Sequence, residues 1–251
     1  EDTELREPHV ASLLEALSNQ SGLILVCGPT GSGKTTTIYS LLNTLLGRGL
    51  NIMTIEDPVE VELSEVIQTQ VNEAVGFSFA TGLRSLLRND PDVILVGEIR
   101  DAETAEIAVR AAMTGHLVIS TVHANTPVGA IKRLTNLSVD PTLLSDCLLG
   151  VYSQRLVRVY CSDCRKTSIS SADHHSTLPV SFSGCKTCHH TGFKGRSPVM
   201  SHVEITSENA SLIETNPAKI KVIDTMYTEA LDLHSKGLTP QFEITRLKQN
   251  I

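Results

Sequence analysis

Through the first 160 residues, short unbroken apolar runs alternate with stretches in which apolar residues recur every three or four positions. "HVASLLEALSNQ" (9–20) has the second pattern and predicts a helix, while "SGLILVCG" (21–28) has the first and predicts a fully buried strand. The alternation then repeats. "LNIMTIED" (50–57), "DVILVGE" (92–98) and "HLVISTVH" (116–123) read as strands. "KTTTIYSLLNTLLGRG" (34–49), "FATGLRSLLRN" (79–89) and "DAETAEIAVRAAMTG" (101–115) read as helices, the first stopped by glycines. Buried strands alternating with helices imply an α/β fold with a mostly parallel sheet covered on both faces.

Two more helices are predicted over "NTPVGAIKRLTNL" (125–137) and "PTLLSDCLLGVYSQRLVRVY" (141–160). From 167 to 183 the chain turns to Ser, His, Asp and Thr, a polar surface loop. From 193 to 251 a smaller set of short elements ends in "MYTEALDLHSKGLTPQFEITRL", two helices around a Gly turn. The expected organisation is a core over 1–158, a cysteine-bearing element over 159–192 and a small helical C-terminal subdomain over 193–251. No internal repeat is visible.

A chain of 251 residues can bury one large core with a small appendage. Hydrophobic residues make up 41% and charged residues 20%, and no apolar run reaches the roughly 20 residues that span a bilayer, so a soluble globular protein is expected. The net charge of -7 argues against broad binding to nucleic acid, which relies on many Lys and Arg contacts to phosphate. The chain has no signal peptide and no initial methionine, so a native N-terminus removed or lying further upstream is expected. A cytoplasmic location follows from that and from the cysteine pattern below.

Gly28, Gly33, Lys34 and Thr35 fit GxxxxGK[ST] between a predicted strand and a predicted helix. Backbone N–H groups of such a loop and of the helix start surround a polyphosphate. Gly28, Pro29, Thr30, Gly31, Ser32, Gly33, Lys34, Thr35 and Thr36 are therefore the candidate ATP-binding residues. Lys34 can reach the β and γ phosphates and Thr35 can bind Mg²⁺.

In open parallel sheets ligands collect at the carboxyl ends of strands. Glu56 and Asp57 follow one apolar run and Glu98 another, so one carboxylate can orient an attacking water and the other hold Mg²⁺, in either order. Asp101 or Glu103 is the natural cap of the following helix. His123 ends a third strand and can sense the γ phosphate, whereas His116 precedes that strand. Arg84, Arg88, Arg100 and Arg133 are each solvated helix residues or ion-pair partners taken singly, or arginine contacts to a neighbouring subunit's nucleotide if subunits close on one another.

Cys161 and Cys164 form one CxxC and Cys185 and Cys188 a second, with twenty residues between. That spacing fits a tetrahedral structural Zn²⁺ site, and the polar segment between the pairs explains the need for a metal clip. His189 and His190 follow directly. Cys27 and Cys147 are core residues by their apolar surroundings.

Together these residues resemble the secretion ATPase superfamily, the hexameric motors of type II secretion, type IV pilus assembly and DNA uptake. "GPTGSGKTTT" looks like its Walker A motif, "TIEDPVE" its Asp box, "LLRNDPDVILVGEIRDAETA" its Walker B region and "TGHLVISTVHANT" its His box. The resemblance runs from about Leu13 to Arg158 and continues through "CSDC" and "CKTC", an element of secretion and assembly motors that pilus retraction motors generally lack. It implies a RecA-like P-loop NTPase core that hydrolyses ATP with Mg²⁺, structural Zn²⁺, a homo-hexamer, and inner-membrane platform proteins as partners. Membrane association would be peripheral, and no direct nucleic-acid binding is expected. By motif position Lys34 and Thr35 take the phosphates and Mg²⁺, Glu56 activates water and Glu98 joins the Mg²⁺ shell. The family's N-terminal domain is expected to be absent from this chain, and "GRSPVMSHVEI" replaces a more apolar stretch. Type II secretion is favoured over pilus assembly or DNA uptake, with a nucleic-acid-dependent RecA-like ATPase as the reading from another class.

Overall fold

The computed structural model describes residues 9–164 and 184–249. These fall into two compact units: one ends at Gln154 and includes Ser201–Ile223, and the other comprises the described parts of Arg155–Met200 and Asp224–Ile251. Expected features of 165–183, including the polar loop, lie outside the described residues.

The first unit opens with α1 (His9–Leu17) and β1 (Gly22–Cys27), then α2 (Lys34–Leu45), β2 (Ile52–Glu56) and the short β3 (Ile67–Gln70). It continues through α3 (Phe79–Leu86), β4 (Val93–Val96), α4 (Ala102–Met113), β5 (Leu117–Val122), α5 (Pro127–Asn136) and α6 (Pro141–Cys147). The remaining elements are β6 (Leu148–Tyr160), β7 (Phe193–Glu204), α7 (Ser207–Thr215), β8 (Ile223–Asp224), α8 (Met226–Ser235) and α9 (Gln241–Gln249). Strand order is β3-β2-β4-β5-β1-β6-β7-β8, and the pairs from β3 to β6 are all parallel. β1, β2, β4 and β5 are buried at every position, as continuous apolar strands between two helical layers must be.

Local chemistry sets the element ends. Asp101 caps α4 by accepting the Thr104 N–H at 2.9 Å, Thr126 caps α5 by accepting the Gly129 N–H at 3.0 Å, and Ser78 caps α3. Leu23, Leu25, Met53, Ile55, Ile94, Val118 and Leu134 belong to the main core, which Val203, Ile213 and Ile220 also join. Cys27 and Cys147 lie in that core, as their apolar surroundings suggest. At α1 the buried His9 and His202 share a 2.7 Å hydrogen bond between their Nδ1 atoms, and Ser12 bonds the Tyr152 hydroxyl at 2.9 Å. The second unit has its own apolar cluster of Val157, Val199, Met226, Ala230, Leu233, Ile244 and Leu247.

Three segments depart from the sequence expectation. The helix expected over 141–160 stops at Cys147, and Leu148–Tyr160 is a thirteen-residue strand. Val151, Tyr152, Val157, Val159 and Tyr160 favour a strand, and near-complete burial of its first half erases the alternation that would have signalled it. Phe193–Glu204 is one long strand, so the C-terminal region is helical only beyond it. β3, "IQTQ", carries no apolar signal because it pairs with β2 alone at the end of the sheet order.

Candidate nucleotide site and metal centre

The loop after β1 turns back on itself through glycines. Gly28, Gly31 and Gly33 have φ of 151°, 76° and 87°, the left-handed region that residues with a Cβ rarely adopt. At Gly28 space is also decisive: a Cβ would lie 2.5 Å from Ser32 Oγ and 2.6 Å from the Gln154 carbonyl oxygen. Lys34, the first residue of α2, folds its Nζ back to the carbonyls of Gly28 and Pro29 at 3.0 and 3.1 Å. Ser32 is buried, while Pro29, Thr30, Gly31, Thr35 and Thr36 are exposed and Gly33 is half-buried. Backbone N–H groups ahead of a helix start give this loop the character of an anion site.

An open cleft of about 220 Å³ lies beside the loop, lined by Thr30, Gly31, Lys34, Thr35, Glu56 and Glu98 among others. The parallel order β2-β4-β5-β1 carries Glu56, Glu98, His123 and the loop to the same edge, the arrangement expected at the carboxyl ends of strands. Thr36 is exposed and does not line the cleft.

The two glutamates have different surroundings. Glu56 is 4% exposed and accepts the Tyr39 hydroxyl on Oε2 and, on Oε1, the Thr54 hydroxyl at 2.5 Å and the Gln68 amide at 3.2 Å. Burial and the bond to Glu56 push the Tyr39 phenol above its ordinary pKa. Glu98 is held on Oε1 by the Arg100 guanidinium. Its other oxygen, Oε2, is buried and has no hydrogen-bond partner among the described residues; His123 Nε2 approaches to 3.3 Å but out of hydrogen-bonding alignment. A buried carboxylate oxygen left without a donor costs free energy unless a cation or water supplies the missing contact, and with Thr35 on the same cleft these residues fit Mg²⁺.

The arginines divide. Arg100 bonds Glu98, reaches Asp57 Oδ2 at 3.4 Å and lies 5.9 Å from the Phe79 ring centroid. The Glu98 hydrogen bond raises its pKa further. Arg133 donates to the Arg100 carbonyl at 3.3 Å. Arg84 pairs with Glu103 at 2.6 Å on an exposed surface, and Arg88 bonds the Arg84 carbonyl of its own turn at 3.1 Å. His116 shares a hydrogen bond with the Ala111 carbonyl at 3.0 Å and lies outside the cleft lining.

In the second unit the sulfurs of Cys161, Cys164, Cys185 and Cys188 lie within 4.8 Å of one another, with pairs at 3.6, 3.8 and 3.9 Å. Four thiolates about 2.3 Å from one Zn²⁺ stand about 3.8 Å apart in a regular tetrahedron, so the donor set fits zinc. The N–H groups of Cys185 and Gly192 donate to Cys188 Sγ at 3.1 and 3.3 Å. Those bonds lower its thiol to about 6, and the Cys185 thiol is lowered too, whereas burial raises Cys164. His189 and His190 adopt positive φ at the turn that follows.

A model of the family described as "Type II/IV secretion system protein" matches residues 1–246. The chain belongs to that family. It is 45% identical to "Type II secretion system protein E" of Klebsiella pneumoniae over 228 residues, 88% of this chain and 46% of the relative. It is 41% identical to "Type II secretion system ATPase E" of Vibrio cholerae over 242 residues, 92% of this chain and 46% of the relative. The chain thus spans about half the length of these curated relatives. Among solved structures, the pilus retraction motor PilT with bound ADP superposes with a TM-score of 0.71 at 31% identity, covering 97% of this chain and 64% of that one.

Four residues of the secretion-family site escape motif reading. Gln154 is buried on β6, accepts the Thr37 hydroxyl at 2.6 Å and donates to the Ser32 carbonyl at 2.7 Å, tying the loop to the strand beside it. Tyr39, Thr54 and Gln68 surround Glu56. Of the four, only Thr54, a polar residue between Met53 and Ile55, stands out in the sequence, and it does so without a motif.

Proposed function

We propose that this chain is the ATP-hydrolysing portion of a type II secretion motor, a homo-hexamer held peripherally at the inner membrane by platform proteins and driving pseudopilin assembly. The observation that carries the reading is the phosphate loop facing the buried Glu56 and the half-buried Glu98 across one cleft, in a chain whose relatives at 41% and 45% identity bear type II secretion names. The ADP in the similar PilT structure supports an adenine nucleotide at that loop. No helix among the described residues is long and apolar enough to cross a membrane, consistent with attachment through partners.

In the reaction a water oxygen forms a bond to the γ phosphorus, the bond to the β–γ bridging oxygen breaks, and the water proton passes to a carboxylate, leaving ADP and phosphate. Lys34 swings from its carbonyl partners to the phosphates, and the loop N–H groups hold their oxygens. Glu56, oriented by three donors, takes the water and its proton. Thr35 and Glu98 would hold Mg²⁺, which neutralises charge on the phosphates. His123, beside Glu98, would contact the γ phosphate, Arg84, Arg88 and Arg133 would supply charge to this or a neighbouring subunit's nucleotide, and Arg100 stays on Glu98. The four cysteines would hold a structural Zn²⁺.

The test is ATP hydrolysis against protein concentration in the full-length protein carrying this segment. Parent activity should rise more steeply than linearly, and Lys34→Ala and Glu98→Gln should each abolish it. Parent-level hydrolysis in both variants would overturn the reading, and strong stimulation by single-stranded DNA would favour a nucleic-acid-dependent ATPase.

A further inference from the structure

Glu56 is the most buried carboxylate of the cleft, and its surroundings are not those of a group left to solvent. An ionised carboxylate offers about four acceptor sites. Thr54 and Gln68 fill both on Oε1, and Tyr39 fills one on Oε2, leaving one acceptor site among the described residues, on the oxygen that Tyr39 holds.

The direction of the Tyr39 bond is fixed by a second contact. The Glu60 N–H donates to the Tyr39 hydroxyl oxygen at 3.2 Å. That bond uses the phenol as acceptor, so its own proton goes to Glu56, and a chain of two such bonds polarises both. Burial keeps the phenol protonated and hence a donor.

Tyr39 also sits one helical turn after Thr35, and both residues face the cleft. One stiff element, α2, therefore carries the phosphate-side ligand and the hydroxyl that sets the carboxylate. Gln68 is fixed in turn: its amide also donates to the Val61 carbonyl at 3.0 Å, and its oxygen accepts the Leu63 N–H at 2.7 Å. Thr54 rides on β2 itself. Helix, strand and the 60–68 segment thus converge on one carboxylate.

We propose that Tyr39 is a positioning residue for Glu56: its hydroxyl, with Thr54 and Gln68, fixes the carboxylate so that the remaining acceptor site on Oε2 receives the hydrolytic water. The proposal rests on Glu56 being the group that activates water, as read above. Tyr39 acts through Glu56 rather than on the nucleotide.

Tyr39→Phe removes one oxygen and leaves the ring. Losing a hydrogen bond to a charged group should lower kcat about 10- to 100-fold, with KM for ATP and nucleotide affinity within about 3-fold. Thr54→Val should show the same split, and Thr54→Ser should return kcat to near the parent value. In a Glu56→Gln background Tyr39→Phe should change residual hydrolysis less than about 2-fold, because the group it acts through is gone. An equal fall in both backgrounds, or a loss confined to nucleotide affinity, would show that Tyr39 only braces the fold. Unchanged kcat in Tyr39→Phe with intact Lys34-dependent hydrolysis overturns this proposal alone. Hydrolysis that does not depend on Lys34 overturns the reading of the site along with it.

Discussion

Thr37 and Gln154 stand 117 residues apart in sequence, yet they share a 2.6 Å hydrogen bond at a point with no exposure for either residue. The other end of the Gln154 amide donates to the Ser32 carbonyl, so one side chain spans the loop and the first turn of α2. Gln154→Leu leaves the buried Thr37 hydroxyl and Ser32 carbonyl without their partner, at about 1–3 kcal/mol per group. We expect a fall of several degrees in Tm and at least tenfold weaker ADP binding, read by thermal denaturation and nucleotide titration. Parent-like affinity would mean the loop needs no brace from β6.

Gly28→Ala should be worse for binding than Gly31→Ala. Both have positive φ, but only Gly28 would drive its Cβ into Ser32 and the Gln154 carbonyl, whereas nothing lies within 4 Å of a Cβ at Gly31. Comparing ADP affinity in the two variants separates backbone strain, common to both, from the collision at Gly28.

The unequal visibility of the site residues has a physical cause. Lys34, Glu56 and Glu98 were legible because a strand end converts sequence position directly into spatial position. Asp101 was legible for the same local reason, being the polar residue just before an apolar-periodic helix. Gln154 was hidden because its segment read as a helix, and burial on both faces of β6 left no alternation to correct that. Tyr39 reads as one more large residue on the packed face of α2, and Gln68 as part of a polar stretch; their role exists only where α2, β2 and β3 meet. The zinc-type cluster was legible from spacing alone, since two CxxC turns each pre-form half of a tetrahedron.

The purified chain should carry about one zinc ion. A strong chelator, or Cys188→Ser, should remove it and expose thiols to a colorimetric thiol reagent, while Cys147→Ser should keep the metal because Cys147 belongs to the other unit's core. Metal content unaltered by Cys188→Ser would place the ion elsewhere.

Arg100 and Arg84 should respond differently to removal. The Arg84–Glu103 pair joins side chains that are 50% and 58% exposed, so Arg84→Ala should cost less than about 1 kcal/mol. Arg100 occupies Glu98, the carboxylate proposed for the Mg²⁺ shell. Arg100→Ala should therefore lower the Mg²⁺ concentration needed for half-maximal nucleotide binding, since the cation no longer competes with a guanidinium. A higher Mg²⁺ requirement would show that Arg100 serves the phosphates instead.

Stability should fall as pH rises above 9, and two buried groups set the window. Burial pushes the Cys147 thiol from 9.0 up to about 12 and the Tyr152 phenol from 10.0 up to about 12, the latter despite its hydrogen bond with Ser12. In the unfolded chain each group releases its proton at the lower value, so between the two values the native state binds the extra proton. Stability is then fully present below the unfolded value and is lost as pH climbs toward the folded one, by about 1.4 kcal/mol per pH unit for each group. Of these two groups only Cys147 contributes between pH 9 and 10, and both contribute from 10 to 12. Cys147→Val should flatten the fall in denaturant midpoint between pH 9 and 10, and Tyr152→Phe should flatten it only above pH 10. The difference in slope between parent and variant isolates each group, because a cavity or a lost hydrogen bond lowers stability without changing its dependence on pH. Equal slopes in parent and both variants would mean that the native state lets these two sites ionise as freely as the unfolded chain does.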